Sequence, residues 1–339
     1  MNTRSALAAS GVLSALSVRG YAETPMAYLH TYGPAGDPIT QLGWGLGIVS
    51  IVVIIVIAVL LLGGIFHRRS EQASDGAQLA VHREGGGMAW LYVGVGLSTV
   101  VLIICMGWTL ATSATISHPP TTPALTVQVT ASQWWWSLRY TSPDASRTFI
   151  TANEIHIPVG QPVRFELASL DVIHSFWVPP LGGKMDVIPG QTNVTWLQAD
   201  KPGVYRGQCA VFCGAEHARM ALEIIADTPR AFRAWQDAQL REPTMAASPT
   251  VLKGQQVFQA HCAACHAIRG SDAAGILGPD LSHLMSRRTL AAGVLANTPG
   301  NLAGWIADPQ GLKPGTQMPD HLVSGPDLTA VVGYLNTLQ

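Results

Sequence analysis

Cys209, Cys213, His217 and Met220 fall in one short stretch, C-A-V-F-C-G-A-E-H-A-R-M. Two thiols, an imidazole and a thioether make a soft ligand set, the kind that selects copper over hard cations. Cysteines this close can also bridge two metal ions through their sulfurs, which points to a dinuclear copper electron carrier. A disulfide is a simpler reading of two near cysteines in an oxidising compartment. Zinc is a third, although its cysteine pairs usually come with two further Cys or His ligands and no Met. Met220 alone would more often be core filler. His174, in D-V-I-H-S-F-W-V-P-P, lies between β-type runs of the same region and is the candidate for a second imidazole.

Further along stands Cys262-Ala263-Ala264-Cys265-His266. C-x-x-C-H is the attachment signature of c-type haem, in which both thiols form thioethers and the adjacent His reaches the iron. A C-x-x-C pair alone would equally suit thiol–disulfide exchange or half a zinc site. The following His, with no second Cys pair nearby, favours haem. A haem of high potential takes Met as its other axial ligand. Met318, in the Gly/Pro-rich G-T-Q-M-P-D, is the candidate; Met285, followed by Ser286-Arg287-Arg288, reads as packing at a helix end or turn.

Composition says where these groups sit. The 339 residues allow two or three domains. Charged residues are 12% and hydrophobic ones 48%, an imbalance concentrated towards the N-terminus, as membrane segments would give. A net charge of −1 argues against nucleic-acid binding, which needs a basic face. Four of the five cysteines belong to the two ligand-like pairs and Cys105 sits in an apolar run, so a secreted disulfide framework is disfavoured.

Residues 1–22 read as a signal peptide with cleavage after Ala22. Trp44 to Phe66 and Met88 to Thr112 are each long and apolar enough to cross a bilayer, spanning roughly 35 Å as helices. Trp90, Tyr92 and Trp108 fall where an interfacial aromatic belt would. Together they predict a two-helix hairpin over 41–112. Arg68, Arg69 and Arg83 lie between the spans and no Lys or Arg lies in 21–43, so the 67–87 loop belongs in the cytoplasm and residues 113–339 on the outer face. His118-Pro119-Pro120 and Pro123 make a stiff exit. L-T-V-Q-V-T, E-I-H-I-P-V, V-R-F-E-L, N-V-T-W-L and L-E-I-I then predict strands of an all-β sandwich, in a domain spanning 120–240. An amphipathic helix runs from Thr228 to Leu240, a linker covers 241–250, and 251–339 is all-α, with Leu328, Val331, Val332, Leu335 and Leu338 on one face of the last helix.

With these ligands behind two spans, residues 40–240 resemble subunit II of cytochrome c oxidase, a haem–copper terminal oxidase. Q-W-W-W-S-L-R-Y resembles its aromatic cluster, and D-V-I-H-S-F-W-V-P with L-G-G-K-M-D-V-I-P-G its first copper-ligand loop. Residues 251–339 resemble a class I cytochrome c fused behind it, as in caa-type oxidases. There G-P-D-L from Gly278 resembles the loop whose Pro carbonyl supports the haem-ligating His, and Gly254 and Phe258 facing Tyr334 and Leu338 resemble the crossing of first and last helices.

The resemblance implies a cupredoxin-like sandwich with a CuA centre: two coppers bridged by Cys209 and Cys213, His174 and His217 each on one copper, Met220 a weak ligand on one and the Val211 backbone carbonyl on the other. It implies covalent haem c on Cys262 and Cys265 with His266 and Met318 on the iron, and electron input at Trp134. Implied partners are subunit I with haem a and CuB, subunit III, membrane lipid, and a soluble or membrane cytochrome c or a bc-type complex as donor. The implied place is the bacterial cytoplasmic (inner) membrane, with both redox domains on the periplasmic face. Electrons would pass from haem c to CuA and on to subunit I, where oxygen is reduced to water and protons are pumped; this chain has neither the spans nor the His set for an oxygen site.

Two positions depart from the family pattern. The family usually has Glu where Val211 stands, and its carboxylate helps hold magnesium at the boundary with subunit I. Val211 supplies none, and Asp186 alone does not replace it. Many members also carry a Glu at a proton path just before the Trp that opens the second span; here Gly85-Gly86-Gly87 precedes Met88-Ala89-Trp90, Glu84 is out of register, and it reads as a solvated carboxylate. Rival functions are a quinol-oxidising subunit, which would lack the copper ligands; a CuA subunit of another terminal reductase such as a nitric oxide reductase; and a copper-handling or thiol-exchange protein, which would carry no covalent haem.

Overall fold

The computed structural model describes residues 26–66, 87–244 and 248–339. The expected signal peptide, the inter-span loop with Arg68, Arg69, Arg83 and Glu84, and the middle of the expected linker lie outside the described residues.

Helix α1 is Asp37–Phe66 and α2 is Gly87–Ile116, each of 30 residues and about 45 Å long. Both have the length and hydropathy to cross a membrane. α1 begins ahead of the expected Trp44 because Asp37-Pro38 makes a good first turn: an acid sits at the positive end of the helix dipole and Pro needs no partner there. The Thr31 hydroxyl fixes that acid, donating to Asp37 Oδ1 at 2.7 Å. α2 runs past Thr112 to Ile116, whose carbonyl accepts from Trp196 Nε1 at 2.9 Å, so the sandwich caps the helix as it leaves the membrane segment. The two helices approach at Gly45, where a Cβ would lie 2.2 Å from the Trp108 ring.

The expected strands form. β1 (Leu125–Ser132), β2 (Trp135–Thr141), β3 (Phe149–Ala152), β5 (Val163–Ser169) and β8 (Asn193–Leu197) make one sheet in the order β3-β2-β1-β5-β8. β4 (Glu154–Pro158), β6 (His174–Trp177), β7 (Met185–Val187), β9 (Gly203–Cys209) and β10 (Ala221–Asp227) make the other, β4-β10-β9-β6-β7. The period-two pattern decides which side chains face inward. On β2, Trp136, Leu138 and Tyr140 are buried while Trp135, Ser137 and Arg139 are not. They meet Phe165, Leu167, Phe176 and Ile155 in the space between the sheets. Each such side chain contributes about 1.5–3 kcal/mol by leaving water. Helix α3 (Pro229–Gln239), capped by the Thr228 hydroxyl, stacks Trp235 on His156 and closes the far end.

The segment before α1 also belongs to this sandwich. Tyr32 N donates to the Pro180 carbonyl at 2.8 Å, and Asp200 N donates to the Tyr32 carbonyl at 2.8 Å. Gly33 passes so close that a Cβ would lie 1.9 Å from the Gln198 carbonyl oxygen.

The C-terminal domain holds α4 (Pro249–His261), a small hairpin of β11 (Thr289–Leu290) and β12 (Leu295–Ala296), α5 (Pro299–Ala307), α6 (Pro309–Leu312) and α7 (Gly325–Leu335). The Ser248 hydroxyl accepts from Val251 N, so α4 starts inside the stretch expected to be linker. The chain entering that stretch is anchored: Arg269 Nη1 donates to the Leu240 carbonyl and His283 Nε2 lies 3.1 Å from the Arg241 carbonyl. α4 crosses α7 at Gly254, where a Cβ would lie 2.0 Å from the Ala330 carbonyl oxygen, and Phe258 packs on Tyr334 with ring centroids 5.7 Å apart.

Candidate metal and haem centres

Sheet register brings His174 to the copper-type loop. Phe176 on β6 is opposite Cys209, the last residue of β9, so His174 at the start of β6 stands beside it. The connection from β9 to β10 then folds Cys213, His217 and Met220 back over the sheet end, held by Cys209 N donating to the Met220 carbonyl and Ala210 N to the Ser175 carbonyl, both at 3.0 Å. Gly214 has φ +117° and sits where a Cβ would lie 3.0 Å from both the Gln133 amide and the Trp134 ring. No other residue fits that turn.

The expected ligand atoms converge. Cys209 Sγ is 3.7 Å from Cys213 Sγ, 3.9 Å from His174 Nδ1 and 3.3 Å from the Val211 carbonyl oxygen. Cys213 Sγ is 3.6 Å from His217 Nδ1 and 3.9 Å from Met220 Sδ. The sulfurs are free thiols, well beyond the roughly 2.05 Å of a disulfide. His174, Cys209 and Cys213 are buried and stand close enough together to share a metal. The Cys213 thiol beside Cys209 pulls the Cys209 pKa far down, with His174 adding to the pull, and the same contact pushes Cys213 up. One thiolate thus forms readily and the second proton leaves when a cation takes its place. The donor set fits two copper ions: two sulfurs able to bridge, one imidazole near each, and a weak ligand at each end, Met220 and the Val211 carbonyl.

Asp171 also belongs to this cluster, although the spacing did not single it out. Its Oδ1 accepts from His174 Nε2 at 2.8 Å and from Val172 N at 2.6 Å, and its Oδ2 from Gln133 N at 2.6 Å. A carboxylate on the outer nitrogen fixes the tautomer and leaves Nδ1 free for metal. Burial works against charge on His174, but its bonds to Cys209 and Asp171 outweigh that and raise its pKa. Burial likewise works against the Asp171 carboxylate, and the His174, Val172 and Gln133 donors outweigh it, so the pKa falls.

The second centre is a cavity lined by Cys262, Cys265, His266 and Met318. α4 ends at His261 with Cys262 as its cap, and the chain turns tightly, with Cys265 N and His266 N both donating to the Cys262 carbonyl. His266 Nδ1 donates to the Pro279 carbonyl at 2.8 Å, which leaves Nε2 as the free lone pair. Burial lowers the His266 pKa and keeps the ring neutral, the form that binds iron. Gly278 clears space for this ring, since a Cβ there would lie 2.6 Å from His266 Cε1. Met318 is held by Gln310, whose Nε2 donates to the Met318 and Thr316 carbonyls at 2.8 and 2.7 Å. Met285 is not among the lining residues; it packs on the domain core. Arg287 lines the cavity too, with one arm donating to the Asp280 carbonyl and its buried Nε without a partner. An orphaned guanidinium N–H lining the cavity, with the Lys313 side chain also in its wall, suits an anionic group of a bound porphyrin. The residues fit haem.

Gln133, Trp134, Trp135 and Asn153 from the sandwich line the same cavity. Trp134 is 7% exposed, and its Nε1 donates to the Cys213 carbonyl at 3.0 Å, beside Gln133 Nε2 at 2.7 Å. The proposed input tryptophan thus touches the copper-type loop on one side and the haem-type cavity on the other.

Comparison with known proteins agrees domain by domain. Residues 141–227 match the family of the cytochrome c oxidase subunit II periplasmic domain, and residues 251–339 match the cytochrome c family. The chain joins a subunit II periplasmic domain to a cytochrome c domain. Cytochrome c oxidase subunit 2 of Alkalihalophilus pseudofirmus is 41% identical over 63% of this chain and 61% of that protein. The subunit 2 of Bacillus sp. strain PS3 is 33% identical over 63% and 62%. The matched part thus spans about three fifths of these relatives' own length. The periplasmic domain of subunit II (CoxB) of Bradyrhizobium japonicum is 34% identical, covering 35% of this chain and 95% of that structure, with a TM-score of 0.33.

Proposed function

We propose that the chain is the electron-input subunit of a cytochrome c oxidase, taking electrons from a cytochrome c or a bc-type complex and passing them to haem in subunit I, where oxygen is reduced and protons are pumped. Bound haem c and dinuclear CuA would each supply a one-electron couple. Cys262 and Cys265 would hold the haem covalently and His266 and Met318 its iron; His174, Cys209, the Val211 carbonyl, Cys213, His217 and Met220 would hold copper. The observation that carries the reading is Trp134, buried between the two ligand sets and hydrogen-bonded to the carbonyl of a copper ligand. The sandwich contributes rigidity: ligands on strand ends held by backbone bonds change geometry little as charge arrives. The protein would lie in the bacterial inner membrane, with α1 and α2 in lipid and both redox domains on the periplasmic side, next to subunits I and III. Val211 offers no carboxylate for magnesium at the subunit boundary.

A CuA subunit of a nitric oxide reductase would share every one of these residues, and the co-purifying partner separates the two readings. The test of the centres is direct. Haem should stay with the chain through acid–acetone extraction, and the copper signal should show the seven hyperfine lines of an electron shared by two equivalent nuclei. Extractable haem or a four-line, single-copper spectrum would refute the assignment.

A further inference from the structure

Lys313 is 2% exposed, an ammonium in the seam between the two domains. Among the described residues it has no carboxylate within ion-pair distance. Instead its Nζ donates to the Trp134 carbonyl at 2.7 Å, across 179 positions of sequence, and to the Ala291 carbonyl at 3.2 Å. Burying a cation without a direct ion pair is unfavourable, and the nearby Glu216 carboxylate only partly offsets that cost. Burial lowers its pKa to about 8.

The contacts around it form one lock. The turn between β11 and β12 places Ala291, Ala292 and Gly293 successively at φ +53°, +60° and +79°, a conformation that alanine resists. Their three carbonyls each meet a donor across or within the seam: Lys313 Nζ, Ala221 N at 3.1 Å and Arg206 Nη1 at 3.4 Å. Next to the turn, Glu154 of the sandwich, 3% exposed, accepts from Arg288 N at 2.6 Å and Thr289 N at 2.9 Å. On the other side, Arg219 Nη1 donates to the Leu312 carbonyl at 3.0 Å. The segment from Lys313 to Met318 then lies on the tryptophan itself: a Cβ on Gly315 would be 3.5 Å from the Trp134 ring. Thr316 N donates back to the Lys313 carbonyl, and Gln310 ties the same segment to Met318.

We infer that Lys313 is a positioning residue: its ammonium fastens the Met318 segment of the cytochrome domain to the Trp134 carbonyl, holding the haem cavity and the copper loop against one indole in a fixed arrangement. A domain that is merely tethered must find its partner face in each cycle, at a rate set by effective concentration and diffusion. A latched domain does not. The inference rests on the proposed relay and adds that the relay is permanently docked.

The test uses the full chain in detergent with haem and copper loaded, reduced at the haem by a photoactivated reductant. Wild-type haem-to-copper transfer is expected to be a single exponential, unchanged when solvent viscosity is raised. Lys313→Met, which keeps the stem and removes the donor, should slow transfer by about tenfold or more, as a small misplacement does, and make it viscosity-dependent. The haem spectrum and the copper hyperfine pattern should stay as in wild type, while amide exchange at Ala221 and Thr289 speeds up. Lys313→Gln, which keeps a donor, should recover part of the rate. A wild-type rate that falls with viscosity, or a Lys313→Met rate equal to wild type, overturns the latch while leaving the relay intact. No transfer in a wild-type chain carrying both centres overturns the relay, and the latch with it. Should neither variant fold, the wild-type viscosity measurement still decides.

Discussion

Removing Asp171 tests whether its carboxylate holds the His174 ring in place for metal. In Asp171→Ala, His174 Nε2, Val172 N and Gln133 N all lose the carboxylate that accepts from them. His174 is fully buried, so the loss is felt as a misoriented ring rather than a solvated one. A hydrogen bond to a charged partner is worth about 1.5–3 kcal/mol. If the His174 contact alone is realised on metal binding, the copper dissociation constant should rise by about 10- to 100-fold. Asp171→Asn keeps one acceptor oxygen and loses the charge, so it should fall between wild type and Ala. The assay is competitive titration against a chelator of known copper affinity, following thiolate-to-copper absorbance. Haem content should not change, because the cavity is lined by other residues. Wild-type copper affinity in Asp171→Ala would refute the claim that this carboxylate sets the ligand.

Four further outcomes follow from particular contacts. Gly254→Val should destabilise the cytochrome domain by at least about 1–3 kcal/mol in denaturant titration, since its Cβ would meet the Ala330 carbonyl at 2.0 Å, while copper binding stays unaltered. Burial raises the Glu154 pKa above its usual 4.5, against the pull of the Thr289 and Arg288 amides. The folded state therefore holds its proton to higher pH than the unfolded chain, and stability should fall as pH rises from 4.5 through the raised value. Glu154→Gln should flatten that slope in urea titrations across the range. Val211→Ala should keep both coppers by metal analysis, because the contact at this position is the backbone carbonyl.

How much of this was legible depends on how local each signal is. Most of the expected copper and haem ligands announce themselves because their spacing is chemical: thiols, an imidazole and a thioether within a few residues of one another; His174, 35 positions before Cys209, and Met318 are legible only from their own flanking residues. The spans and the five named strand runs follow from period and length, with the span ends moved at α1 through Asp37-Pro38 and at α2 through Trp196; β2, β3, β6, β7 and β9 complete the two sheets without having been singled out. Asp171 was hidden because an acid in a turn is ordinary; its place three residues before His174 is the one sequence hint. Lys313 had none, since its partner is 179 positions away and a lysine near a Pro-Gly turn reads as solvent-facing. Composition alone gives 241–250 as a linker; it does not show that Arg241 meets His283 or that Ser248 caps the first helix of the cytochrome domain. Contacts between domains depend on the relative placement of two finished folds, and composition does not encode it.

The central claim is that one chain carries an electron from a covalent haem to a dinuclear copper centre. The measurement that tests it most directly is photoreduction of the haem in the purified chain, with haem and copper absorbance recorded together over a series of dilutions. Haem re-oxidation should be mirrored by copper reduction, with a first-order rate constant that dilution does not change. A rate that falls in proportion to concentration, or a copper signal that stays oxidised while the haem is reduced, would contradict it.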